Sequence, residues 1–122
     1  MHNQQADASY KGLPTFEYAK THKNDLEVCQ GCCAGELEAF KRTGQAPAPY
    51  FFERVAVLLS KERRWSEVVE HCETYLKSLE DYRKAAESQS SPSAKVWLSP
   101  KVEALKVRLA NARSKALPQQ QG

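Results

Sequence analysis

Tyr50–Leu76 reads YFFERVAVLLSKERRWSEVVEHCETYL, and its apolar residues recur at steps of three and four. Phe52, Val55, Ala56 and Leu59 form one stripe, which predicts a helix over about 50–61. Lys61-Glu62-Arg63-Arg64 interrupts it with four charged side chains. A second stripe begins at Trp65 and runs through Val68, Val69, Cys72, Tyr75, Leu76, Leu79 and Tyr82. It predicts a longer helix over 66–87, with Ser66 as its N-cap. Glu73 and Lys77, and Glu80 and Lys84, are spaced to pair along its outer face.

On the N-terminal side, Gln45-Ala46-Pro47-Ala48-Pro49 is a stiff linker, because each proline lacks an N–H and disfavours helix before it. Upstream, Leu26, Cys29, Cys33, Leu37 and Phe40 predict a helix over about 25–43. Asn24-Asp25-Leu26-Glu27 reads as its capping box, with Asn24 as cap, and Gly44 after Lys41-Arg42 as its C-cap. Gly31 and Gly35 each weaken such a helix by about 1 kcal/mol relative to alanine. Thr15 reads as the cap of a short helix through Lys20, and residues 1–12 as a polar, disordered lead.

On the C-terminal side, Ser88–Ser93 is a loop by composition, and Trp97 and Leu98 must pack on something. Ser99-Pro100 starts a helix over about 100–116, with the stripe Val102, Leu105, Leu109, Ala112 and Ala116. Leu117-Pro118 stops it, and 117–122 reads as a disordered tail. No segment alternates with period two, so no sheet is predicted. The fold class is all-α: one helical domain over 13–116, a bundle of about four helices with a central helix-turn-helix.

The 122 residues suffice for one core, and the longest aliphatic run, Val55–Leu59, is far too short to span a membrane. No basic-then-apolar leader follows Met1, so a cytoplasmic setting with reduced thiols is expected. The net charge of +3 is uneven: residues 1–50 and 51–93 each balance to −1, and residues 94–122 carry +5. The last helix places Lys101, Arg108 and Lys115 on one face and Lys106 and Arg113 on another, which marks it as a surface for an acidic partner.

In its order of Phe52, Val55, Ala56, Leu59, Trp65, Val68, Cys72 and Leu76, the central hairpin resembles a single degenerate tetratricopeptide repeat. In that family a small residue, here Ala56, lets the helices approach, and an aromatic at the turn, here Trp65, anchors the second helix. Val68 and Tyr75 depart from it, standing where alanine is usual, and no second copy follows at a period of about 34 residues. The resemblance implies protein binding through the inner face of the first helix, carried here by Tyr50, Glu53, Val57, Ser60 and Lys61.

Chemistry has few residues to rest on. Cys29 and Cys32 have ligand spacing, and His71-Cys72 is the only further pair for a zinc ion, so zinc is a second alternative behind apolar filling by these thiols. No cofactor is expected. No catalytic triad, paired carboxylates or phosphate loop stands out. The sequence therefore reads as a non-enzymatic adaptor or stoichiometric inhibitor that binds a protein through residues 50–61, the basic last helix, or both. Nucleic acid held by that last helix is the alternative, and a second copy pairing through its apolar seam is a candidate partner.

Overall fold

The computed structural model describes residues 8–87 and 96–121, with side chains as far as Ala116. The loop expected over Ser88–Ser93, and residues 1–7 of the expected lead, lie outside the described residues. Four helices carry the fold: α1 (Leu26–Thr43), α2 (Tyr50–Lys61), α3 (Trp65–Glu87) and α4 (Pro100–Gln121). Single turns of 3₁₀ helix stand at Thr15–Tyr18 and Val96–Leu98. The architecture is a small all-α bundle, and none of its described helices is long and apolar enough to cross a membrane.

α2 is the central element. It packs against α1, α3 and α4, and α3 and α4 share the most extensive face. Phe52 contacts Tyr75 and His71 of α3, although the α2–α3 turn lies near residue 62, so the two helices run antiparallel. Phe52, Val55, Ala56 and Leu59 are buried on one side of the hairpin, and Val68, Cys72, Tyr75 and Leu79 on the other. The whole α4 stripe, Val102, Leu105, Leu109, Ala112 and Ala116, is buried as its period demands. Each large apolar side chain so placed contributes about 1.5–3 kcal/mol through burial.

The caps are local chemistry. Ser99 Oγ accepts from the Lys101 N–H at 3.1 Å, ahead of the first-turn proline of α4. Gly44, at φ 77°, closes α1 with its N–H on the Phe40 carbonyl. At the other end of α1 the cap is Asp25, whose carboxylate accepts from the Val28 N–H, and not Asn24. Asn24 instead accepts from the Arg54 guanidinium of α2 at 2.7 Å. α3 starts at Trp65, one residue before the expected cap Ser66, behind a turn in which Arg64 pairs with both Glu62 and Glu67. α4 continues past the expected stop at Leu117-Pro118 to Gln121.

The N-terminal segment corrects the sequence reading most. From Ala8 onward the chain is structured: β1 (Ser9–Tyr10) and β2 (Leu13–Pro14) form an antiparallel hairpin where no sheet was expected, and β1 lies in the lead expected to be disordered. Its loop is Lys11-Gly12, with φ of 50° and 84°, the left-handed pair that matches the twist of a two-residue hairpin. Strands of two residues are too short to show alternation. Thr15 caps nothing; it is buried, and its hydroxyl donates to Glu36 Oε2 at 2.9 Å.

The hairpin explains the two α1 glycines. It lies across α1 so closely that a methyl at Gly31 would overlap the Tyr10 ring, and one at Gly35 would overlap the Ser9 carbonyl. The pair weakens the helix and makes room for the backbone that covers it.

Candidate functional site

The two surfaces expected from sequence meet each other. On α2, Tyr50 and Glu53 are half-buried because Lys101 of α4 reaches both: its Nζ lies 3.2 Å from Glu53 Oε1 and 5.4 Å from the Tyr50 ring centroid. Tyr50 also donates its hydroxyl to the Ala19 carbonyl at 3.0 Å. Val57 and Ser60 are half-buried, and Lys61 alone of the five is exposed. The inner face of the hairpin's first helix is therefore largely engaged within the molecule.

The basic helix spends most of its charge in the same way. Besides the Lys101–Glu53 pair, Arg113 reaches Glu73 of α3 at 2.7 Å, and Lys106 pairs with Glu103 at 3.4 Å. Lys115 sits over the Trp65 ring, 5.5 Å from its centroid. Arg108 is half-buried and near enough to Cys72 to oppose the rise of that thiol's pKa. The α3 pairs expected at four-residue spacing re-partner: Glu73 goes to α4, and Glu80 to Arg83.

A different place stays open. Between α3 and α4, closed at one end by the 3₁₀ turn Val96–Leu98, lies a cleft of about 400 Å³. Leu76, Leu79 and Val102 give it an apolar lining, with Trp97 and Leu98 at the turn. Glu80, Arg83, Glu103 and Lys106 supply charges of both signs around it. Trp97 is fixed against Tyr82, 6.1 Å between ring centroids. Leu98, expected to pack, is 69% exposed. Of the ten residues proposed from sequence, only Lys106 lines this cleft. Its signal in the sequence was Trp97-Leu98, an apolar pair just ahead of a helix start.

The residues considered for metal stay apart. Cys29 donates its thiol to the His22 carbonyl at 3.4 Å, and His71 turns Nε2–H to the Phe52 carbonyl at 2.9 Å. Among the described residues no three His, Cys, Asp or Glu side chains are grouped to hold one ion. Burial pushes the Cys32 thiol up to about 12 and the Cys72 thiol up to about 11, which makes both poor nucleophiles near neutral pH. All four cysteines are free and buried.

Sequence reasoning missed one group entirely. Glu36 of α1 is 7% exposed. Its Oε2 accepts from the Thr15 hydroxyl and its Oε1 from the Ala48 N–H at 3.2 Å. The same Pro47–Ala48 peptide accepts the Tyr75 hydroxyl at its carbonyl, 2.9 Å away. Burial raises the Glu36 pKa, and the two hydrogen bonds oppose that rise. The carboxylate thus joins the N-terminal segment, α1 and the α1–α2 linker, and through that peptide it connects to α3.

Comparison of the chain with protein-family models, with curated proteins and with solved structures finds no match.

Proposed function

We propose that the protein binds another protein stoichiometrically, as an adaptor or inhibitor without turnover, and that the α3–α4 cleft is its docking site. The observation that carries this reading is Leu98, exposed at the mouth of an apolar cleft and held there by a 3₁₀ turn anchored through Trp97. A bulky apolar side chain placed over Leu76, Leu79 and Val102 would be desolvated, which is where binding energy concentrates. Glu80, Arg83, Glu103 and Lys106 around it, two charges of each sign, suit a peptide of mixed charge better than a uniformly anionic phosphate backbone. The resemblance of the α2–α3 hairpin to a tetratricopeptide repeat supports the same class of function. It places the partner on α2, whereas the engaged Tyr50 and Glu53 favour the cleft.

Affinity capture from the protein's own cells tests this. Wild type is expected to recover a discrete partner in near-equimolar amount, and Leu98→Glu to lose it while keeping its helical spectrum. Equal recovery by Leu98→Glu would contradict the assignment of the cleft.

A further inference from the structure

We propose that Ala8–Asn24 is a strap that opens as a unit from a body that stays folded, and that it masks the Cys29 and Cys32 thiols of α1. The strap is cohesive within itself. Its hairpin is continued by the Thr15 N–H bond to the Ala8 carbonyl, and Tyr18 donates its hydroxyl to the Tyr10 carbonyl while its ring meets Tyr10 and His22 edge-on. Leu13 and Phe16, at 50% and 66% exposure, face away from the body and anchor little.

The strap is held by apolar contact of Tyr10, Tyr18 and Ala19 with the core, by buried Ala8, and by a set of polar bonds. Tyr50 donates to the Ala19 carbonyl, and Arg54 donates to the Lys23 carbonyl and to Asn24. Water replaces such part-exposed bonds at small net cost. The buried bond from Thr15 to Glu36 is the latch, and it ends on a carboxylate that burial penalises. Elements held by few buried contacts open well below the global unfolding free energy.

Directly beneath lies the Cys29 thiol. Cys29 Sγ touches the strap at the His22 and Lys23 carbonyls, 3.4 and 3.7 Å away. Cys29, Cys32 and Glu36 follow at steps of three and four along α1, so one stripe carries the latch and both masked groups. Cys72 shares the hydrophobic core with these cysteines but sits on α3, has no hydrogen bond to the strap among the described residues, and serves as an internal control. With the strap down the thiols are protonated and shielded. With it raised, Cys29 and then Cys32 meet solvent and react with soft electrophiles.

Alkylation of the intact protein by iodoacetamide under native conditions is the test: each carbon–sulfur bond formed releases iodide and a proton. Trypsin separates Asn24–Lys41, with Cys29, Cys32 and Cys33, from Trp65–Lys77, with Cys72. The expected result is modification of the first peptide at least about tenfold faster than the second. Thr15→Val is expected to speed the first about tenfold further without moving the second, since a hydrogen bond to a charged group is lost. Arg54→Ala, which releases the strap from the outside, is expected to act in the same direction should Thr15→Val fold poorly. Both peptides reacting at one rate in wild type would overturn the proposal. So would either variant accelerating both alike.

Discussion

At Glu36 the fold buries a carboxyl group at a position that the apolar stripe of α1 does not include. Its folded pKa is raised, so the folded state favours the protonated form. The sign follows: the stability this group contributes is present below about pH 4.5 and lost as pH rises through the folded pKa. Glu36→Gln keeps an acceptor for Ala48 and turns an amide N–H to the Thr15 hydroxyl, which then accepts, and it is expected to match or exceed wild-type stability at pH 7 by about 1 kcal/mol. Glu36→Ala leaves both partners unsatisfied and is expected to cost about 2 kcal/mol or more. Urea titrations of the three proteins check both. His71 runs the other way. Burial lowers its pKa, so its contribution is present above about pH 6.5 and lost as pH falls through the folded value. Gly35 gives a test by sign alone: in an unencumbered helix Gly35→Ala stabilises by about 1 kcal/mol. Beneath the Ser9 carbonyl it is expected to destabilise, measured as a lower urea midpoint.

Among the elements, legibility followed the range of the interaction that decides each feature. The stripes of α2, α3 and α4, the Ser99-Pro100 start and the Gly44 cap were readable, because each is settled within about two turns of chain. The N-terminal hairpin was not: nothing nearby in sequence shows that Tyr10 will cover Gly31 or that Thr15 will meet Glu36, 21 residues on. One signal was present and unused, a lysine-glycine pair between Tyr10 and Leu13. Since Asn is at ease where Lys11 takes a φ of 50°, Lys11→Asn is expected to raise the urea midpoint while leaving the alkylation ratio of Cys29 to Cys72 unchanged, because the turn stays intact when the strap lifts. The surface ion pairs of α4 were legible as charge and not as partners. They are exposed, so Arg113→Ala is expected to change stability by less than about 1 kcal/mol in thermal melts.

Across the whole molecule, two of the cations that marked the last helix in the sequence are paired with carboxylates of residues 51–93. Lys101 and Arg113 stitch α4 to α2 and α3. That leaves the candidate site at a place the charge pattern did not single out, where a half-buried tryptophan holds an exposed leucine beside an apolar cleft. Of the site as proposed here, only Lys106 and the Trp97-Leu98 pair were visible beforehand. The cleft itself exists only once α3 and α4 are packed. The measurement that bears on the central claim most directly is photocrosslinking in cells from benzoylphenylalanine placed at position 98, compared with the same group at position 61 on the exposed end of α2. A discrete heteromeric adduct from position 98, absent from position 61 and weakened by Lys106→Glu on the exposed rim of the cleft, is the predicted result. An adduct from position 61 alone would contradict it and return the partner to the face of α2.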